Sequence, residues 1–383
     1  MITKDQIEQL AQVAVRTVNI KEGDNLFVRS GIHNYQLAEA IAFHAYMKGA
    51  RPFTNFTSDD LTERIYREVP AKYMEPTPAH YLSLVKAIDV YIVLELPKNP
   101  AIQKRFPPEK IVANQKSSEP IRKEILESKR WLYMGYPTPE AAKEFNIPYE
   151  ELEELIIGGM LIDYDELESN CLRLKELLTN ADTVYINDDM GTDLTLHVKG
   201  RPIKIDDGLI SDEDVANNDT GSNIPAGEVF IAPHETVGEG TLFCPLTRER
   251  RTGEYVRNLR LVFKDGRLVM DECTAEVGLK HFREAIERGI AIDSERYKTV
   301  RTTNFGELGI GLNPKIKKAL GYILTDEKIG GSVHVAIGFN SGSYGGTSES
   351  TVHWDFVTVP RATMEVTYLD GSKRLILEKG KIL

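Results

Sequence analysis

The stretch GGSVHVAIGFNSGSYGGTSESTVHWDFV, Gly330 to Val357, holds two of the chain's eight histidines, His334 and His353, with Asp355 two residues after the second. Around each histidine the sequence is short and β-like, and a run of glycine and serine joins the two pieces. That is the pattern of two strands with a loop between them. Side chains two apart on a strand share a face, so His353 and Asp355 project together and Trp354 turns the other way. A strand can offer a nitrogen and an oxygen to one ion in this manner. On its own, an HxD pair is more often a hydrogen-bonded pair of side chains.

Two more segments place single carboxylates in unusual settings. In NIPAGEVFIAPHETVGEG, Asn223 to Gly240, Glu228 follows a Pro-Ala-Gly turn and enters the apolar run Val229-Phe230-Ile231. His234 and Glu235 come six and seven residues later, near the site or simply in a loop. In NFGELGIGLNP, Asn304 to Pro314, Glu307 stands among Phe305, Leu308 and Ile310. A carboxylate in apolar surroundings is costly unless it meets a cation. Taken singly, each reads as a salt-bridged residue. Together, Glu228, Glu307, His334, His353 and Asp355 form a set of carboxylates and imidazoles on or beside short strands, flanked by glycines. Such a set, without thiolate, suits Zn²⁺, Mn²⁺, Co²⁺ or Fe²⁺. Five ligands exceed the need of one catalytic ion with an open position. They suit two ions about 3.5–4 Å apart, bridged by a carboxylate and a water.

The rest of the chain supplies the scaffold. At 383 residues it is long enough for two domains. Thr3 and Gln6 make a capping box ahead of Ile7, Leu10, Ala14 and Val18, which predicts a first helix over residues 3–18. A strand at Asn25–Arg29 follows, then a helix in NYQLAEAIAFHAYMKGA that Gly49 stops. His44 on that helix, between aromatic residues, reads as structural. Ala87–Leu96 predicts a fully buried strand and Arg130–Tyr136 another. Strand and helix in alternation imply an N-terminal α/β domain with a mostly parallel sheet. Neither GxGxxG nor a P-loop occurs there, so a nucleotide site has no support. A helix over Tyr164–Leu178 leads into a region rich in hairpins, two of them with Asp-Gly turns at 265–266 and 370–371. The expected division is residues 1–170 for the α/β domain and 171–383 for a C-terminal α+β domain that bears the metal, with the boundary between about 160 and 180.

Composition narrows the partners. Hydrophobic residues make up 41% and charged residues 27%, as in a globular protein, and the net charge is -11. That balance disfavours nucleic acid and anionic membrane surfaces. No apolar run is long enough to cross a bilayer, and the N-terminus starts no signal peptide. Cys171, Cys244 and Cys273 are odd in number and far apart, which predicts reduced, buried thiols in a cytoplasmic protein.

At the residues singled out above, the sequence resembles the M29 family of metallo-aminopeptidases, of the aminopeptidase T type. The stretches GTDLTLHVKGR, NIPAGEVFIAP, FGELGIGLNP, LTDEKIGGSVHVAIG and SESTVHWDFV follow that family's order, as does the opening helix, strand and helix. The resemblance implies that Glu228, Glu307, His334, His353 and Asp355 ligate two divalent ions (Zn, Co, Mn or Mg). It also implies a homodimer and removal of N-terminal residues from peptide substrates. Glu228 or Glu307 would bridge the ions or take the proton of the attacking water. The family pattern has a tyrosine seven residues after the first histidine; here that position is Ser341, and Tyr344 is the expected shifted equivalent, as a metal ligand or a donor to the tetrahedral intermediate. The tyrosine stretch and the HxD pair are also similar to those of the dihydroxypyridine ring-cleaving dioxygenases. That likeness implies an alternative, a single Fe²⁺ held by His334, His353 and Asp355.

Overall fold

Thr3 caps the first helix, α1 (Lys4–Thr17), in the manner its spacing predicts: its hydroxyl accepts from the Gln6 amide, and the Gln6 side chain accepts from the Thr3 amide. The computed structural model that shows this describes residues 2–383. Two compact units emerge, one of residues up to Leu161 with Gly208–Ala226, the other of Ile162–Asp207 with Gly227–Leu383.

In the first unit the chain alternates as expected. Strand β1 (Asn25–Gly31), helix α2 (Tyr35–Met47), β2 (Arg51–Thr57), β3 (Val90–Leu94) and β4 (Arg130–Met134) build a sheet in which every neighbouring pair is parallel. Val90, Tyr91, Ile92 and Leu94 are buried, so β3 is apolar on both faces, as a strand covered on both sides must be. His44 lies 2.8 Å from Glu8 across α1 and α2, the structural role expected of it.

The chain enters the second unit at Ile162. The helix Tyr164–Leu178 is capped by the Asp163 carboxylate, and β5 (Ala181–Asn187), β6 (Asp193–His197) and β7 (Ile203–Asp206) follow it. Residues 208–226 then return to the first unit, where β8 (Gly221–Ile224) pairs with β4 and completes the order β2-β1-β3-β4-β8. The passage between units thus lies at Leu161 rather than at residue 170, and one short excursion belongs with the N-terminal part.

From Gly227 the chain stays in the second unit through β9 (Glu228–Ile231), β10 (Gly238–Arg248), β11 (Tyr255–Lys264), β12 (Arg267–Leu268), β13 (Phe305–Gly311), β14 (Val333–Gly338), β15 (His353–Val357), β16 (Thr363–Tyr368), β17 (Lys373–Glu378) and β18 (Lys381–Ile382). These strands form two antiparallel sheets, one of order β12-β11-β10-β6-β5-β16-β17-β18 and one of order β15-β14-β13-β9-β7. Asp265 and Gly266 take φ of 49° and 71° at the β11–β12 turn, the paired left-handed residues of a tight hairpin. The sheet β15-β14-β13-β9-β7 carries Glu228, Glu307, His334, His353 and Asp355. The helix Tyr164–Leu178 packs against its β7 and β9. Among the described residues, no helix is long and apolar enough to cross a membrane.

Candidate metal centre

Register decides which side chains meet. On β15, His353 and Asp355 share a face; on β14 the same face carries His334, Ala336 and Gly338. Ala336 stands opposite both Asp355 and Glu307, and His334 stands opposite Gly309. Gly311 pairs with Glu228, which in turn pairs with Asp206 of β7. One face of the sheet therefore holds Asp206, Glu228, Glu307, His334, His353 and Asp355, with alanine and glycine between them. The opposite face carries Val335, Ile337, Leu308, Ile310, Val229 and Ile231, all buried. Trp354 joins that core, its ring 5.6 Å from Phe282 and 5.3 Å from Phe356.

Two glycines are required by close approach. A Cβ on Gly309 would lie 2.0 Å from His334 Nε2, so the imidazole rests directly on that backbone. Gly227 has φ of +125°, and a Cβ there would meet the Asn313 backbone at 2.9 Å, where the strand carrying Glu228 passes the exit of β13.

The polar atoms converge in two overlapping groups. Glu228, Glu307 and His334 offer ligand atoms within 4.8 Å of one another, and so do Glu307, His353 and Asp355. Glu307 belongs to both. Its Oε1 is 3.2 Å from His334 Nε2 and its Oε2 is 3.5 Å from His353 Nε2. Glu228 Oε2 lies 3.4 Å from His334 Nε2, and Asp355 Oδ1 lies 3.3 Å from His353 Nε2. Bonds of about 2.0–2.2 Å around a tetrahedral ion put neighbouring ligand atoms roughly 3.3–3.6 Å apart, so these separations suit atoms that face a common cation. Among the described residues nothing donates a hydrogen bond to buried Glu228 Oε2 or Asp355 Oδ1, which is what carboxylate oxygens reserved for a cation look like. His353 Nδ1 donates to the Phe339 carbonyl at 2.8 Å, which turns Nε2 toward the carboxylates.

The electrostatics follow from burial and proximity. Burial pushes the Glu228 carboxyl up to about 8, against the pull of the Lys328 ammonium. Burial alone would lower His334, but its bond to Glu307 and the charge of Glu228 win and raise it to about 9. Burial also works to raise Glu307 and Asp355, yet the facing imidazoles hold both below the usual carboxylate range.

Tyr344 ends a single helical turn, Gly342–Tyr344, in the loop between β14 and β15. Its ring lies 5.3 Å from the His353 ring and 5.7 Å from Phe230. Burial, then the charges of Glu307 and Asp355, push its phenol far above the ordinary value. The glycine-rich loop is tied down on several sides. Arg201 donates to the Gly345 carbonyl at 2.7 Å and pairs with Glu235 at 2.6 Å, and Glu235 accepts from the Thr347 amide at 2.6 Å. Buried Asp293 accepts from Ser350, from Thr302 and from both the amide and hydroxyl of Thr351. Glu235 is thus a loop anchor, and His234 bonds to the Lys199 carbonyl; neither joins the two groups.

Three polar residues at the centre were not singled out from sequence: Lys328, Glu327 and Asp206. Lys328 is fully buried, with Nζ against Glu228 Oε1, 3.1 Å from Asp206 and 3.2 Å from Glu327. Burial raises the Glu327 carboxyl, and its charge is felt at Tyr344. The signal available was Glu-Lys just before Ile-Gly-Gly in LTDEKIGG, which alone reads as a surface turn.

Known proteins resemble the chain over most of its length. Aminopeptidase 2 of Geobacillus stearothermophilus is 26% identical over 304 residues, covering 72% of each chain. Aminopeptidase T of Thermus thermophilus is 24% identical and covers 99% of this chain and 98% of its own. Among solved structures, wild-type AmpT from Thermus thermophilus superposes with a TM-score of 0.77 at 19% identity, over 99% of both chains. The 2,5-dihydroxypyridine dioxygenase from Pseudomonas putida does so with 0.63 at 14% identity, over 100% of this chain and 98% of that one. These two likenesses show a shared fold. The family model of the thermophilic metalloproteases (M29) matches residues 3–382, and the chain belongs to that family.

Proposed function

We propose that this metalloprotease-family hydrolase is an aminopeptidase that removes N-terminal residues from peptides at a centre of two divalent ions. The observation that carries the reading is Glu307, whose two oxygens divide between two groups of ligand atoms. One ion would be held by Glu228, Glu307 and His334, the other by Glu307, His353 and Asp355. Two such ions supply a nucleophile by lowering the pKa of a shared water, and they polarise the scissile carbonyl. Glu307 would be the residue common to both ions, because it belongs to both groups. Glu327, a buried carboxylate that pairs with Lys328 and enters neither group, would take the proton of the attacking water and pass it to the leaving amine. Tyr344, packed on His353, donates its phenolic proton in a hydrogen bond to the developing oxyanion.

A single Fe²⁺ on His334, His353 and Asp355 is supported less well, because those three do not form a group: His334 joins Glu228, and His353 joins Asp355. We also propose a homodimer, since α2 and the edge strand β2 expose Phe43, Tyr46, Met47 and Phe53. The deciding experiment is metal content per chain together with hydrolysis of an aminoacyl-arylamide. Two ions, and activity lost to a chelator and restored by Zn²⁺ or Co²⁺, are expected. Full activity in metal-free protein would overturn the reading.

A further inference from the structure

Lys328 is an unusual residue to find behind a metal centre. Its side chain is wholly buried, and its backbone is bonded on both sides: the amide donates to the Thr325 carbonyl at 3.1 Å, and the carbonyl accepts from the Asn313 amide at 2.9 Å. The ammonium faces three carboxylates at once, Glu228, Asp206 and Glu327. It divides the oxygens of Glu228, taking Oε1 and leaving Oε2 toward His334. A like-charged neighbour on the same carboxylate weakens that carboxylate's hold on a metal ion.

Charge balance gives the lysine a second role. Asp206, Glu228, Glu307, Glu327 and Asp355 make five carboxylates against one ammonium, with the two imidazoles neutral as ligands. Four negative charges remain, which is the charge of two divalent ions. Without Lys328 the same pocket would be one charge short of neutral when fully loaded. Buried charge is tolerated only when it is compensated.

We propose that Lys328 is a resident cation of the centre, a positioning residue that limits Glu228 to one metal-facing oxygen and sets how tightly the ions are held. The inference rests on the two-ion reading above. It is a statement about affinity, so affinity is the test. The full-length protein, stripped with a chelator, is titrated with Co²⁺ alone and followed by visible absorption and calorimetry. Two Co²⁺ per wild-type chain are expected; no binding in the wild type would overturn the two-ion reading itself, and with it this inference.

With two ions bound in the wild type, Lys328→Met should hold the ion shared with Glu228 at least about tenfold more tightly, because the competing charge is gone. Asp206→Asn should move the other way, to weaker binding, since the ammonium then leans more heavily on Glu228. Loss of a merely structural residue would weaken binding in both variants. Weaker or unchanged binding in a folded Lys328→Met protein, checked by circular dichroism, overturns the inference. If Lys328→Met does not fold, Lys328→Gln, which keeps a hydrogen-bond donor beside Glu228 without the charge, decides: tighter binding supports the lysine's role, and weaker or unchanged binding overturns it.

Discussion

Strands β3 and β14 are closed to water almost equally, and they do opposite things. In β3, Val90, Ile92 and Leu94 fill one face while Tyr91 packs the other with Phe27 and Ile88. In β14 all six residues are buried, yet only Val333, Val335 and Ile337 belong to a core. The other face reads His334, Ala336, Gly338, one imidazole followed by two residues almost without side chains. Burial alone does not distinguish structure from chemistry. What does is a buried face where small residues leave room and polar atoms border it.

That contrast can be broken most forcefully at Glu307. Glu307→Ala removes a ligand from both groups, and kcat/KM should fall by at least about a thousandfold with loss of bound metal, read by elemental analysis and steady-state kinetics. Retained metal with wild-type turnover would show that the polar face of β13 is only structural. Next in size are the residues that touch the reaction without joining a ligand group. Glu327→Gln should lower kcat about a hundredfold with both ions kept, as expected for a lost proton acceptor. Tyr344→Phe should lower kcat about tenfold or more with little change in KM.

The parallel sheet should answer differently. Ile92→Ala, in the middle of β3, should reduce unfolding free energy by about 2–4 kcal/mol in denaturant titrations. Turnover per folded molecule should not change; a loss of turnover there would undo the distinction between the two strands. The smallest effect is a proton count. His334, raised to about 9 by Glu307 and Glu228 against the opposing effect of burial, carries its proton at pH 7 in the metal-free protein. A ligand imidazole is neutral, so loading Zn²⁺ at pH 7 should release protons into a weakly buffered solution. The release should shrink as pH rises through about 8 and 9, where Glu228 and His334 have already given up their protons, and apparent affinity should rise with pH across that range.

Much of this centre was legible before any coordinates. Period-two alternation placed His353 with Asp355, and the isolation of Glu228 and Glu307 in apolar runs marked both as needing a partner. Lys328 and Glu327 were not legible, because charged residues beside a short helix usually face water. The pairing of Lys328 with Asn313, with the bonds from Gly330 to Ile316 and from Gly331 to Gly311, ties that turn inward, and contacts of that kind have no signature along the chain. The excursion of residues 208–226 was hidden for a related reason. Strand β8 is GSNI, too short and polar to announce itself, and its place in the parallel sheet is set by β4 rather than by its own pattern. The Tyr344 ring reached His353 through a loop whose path depends on Arg201, Glu235 and Asp293, none of them adjacent in sequence.

Those anchors have a thermodynamic consequence. A segment as rich in glycine and serine as Phe339–Val352 has more conformational freedom in the unfolded chain than almost any other of its length. Arg201, Glu235 and Asp293 remove that freedom when the protein folds, before a peptide arrives. Ordering is therefore charged to folding stability and not to substrate affinity. A peptide meets a wall already in place, and its binding entropy is spared the freezing of a flexible strap.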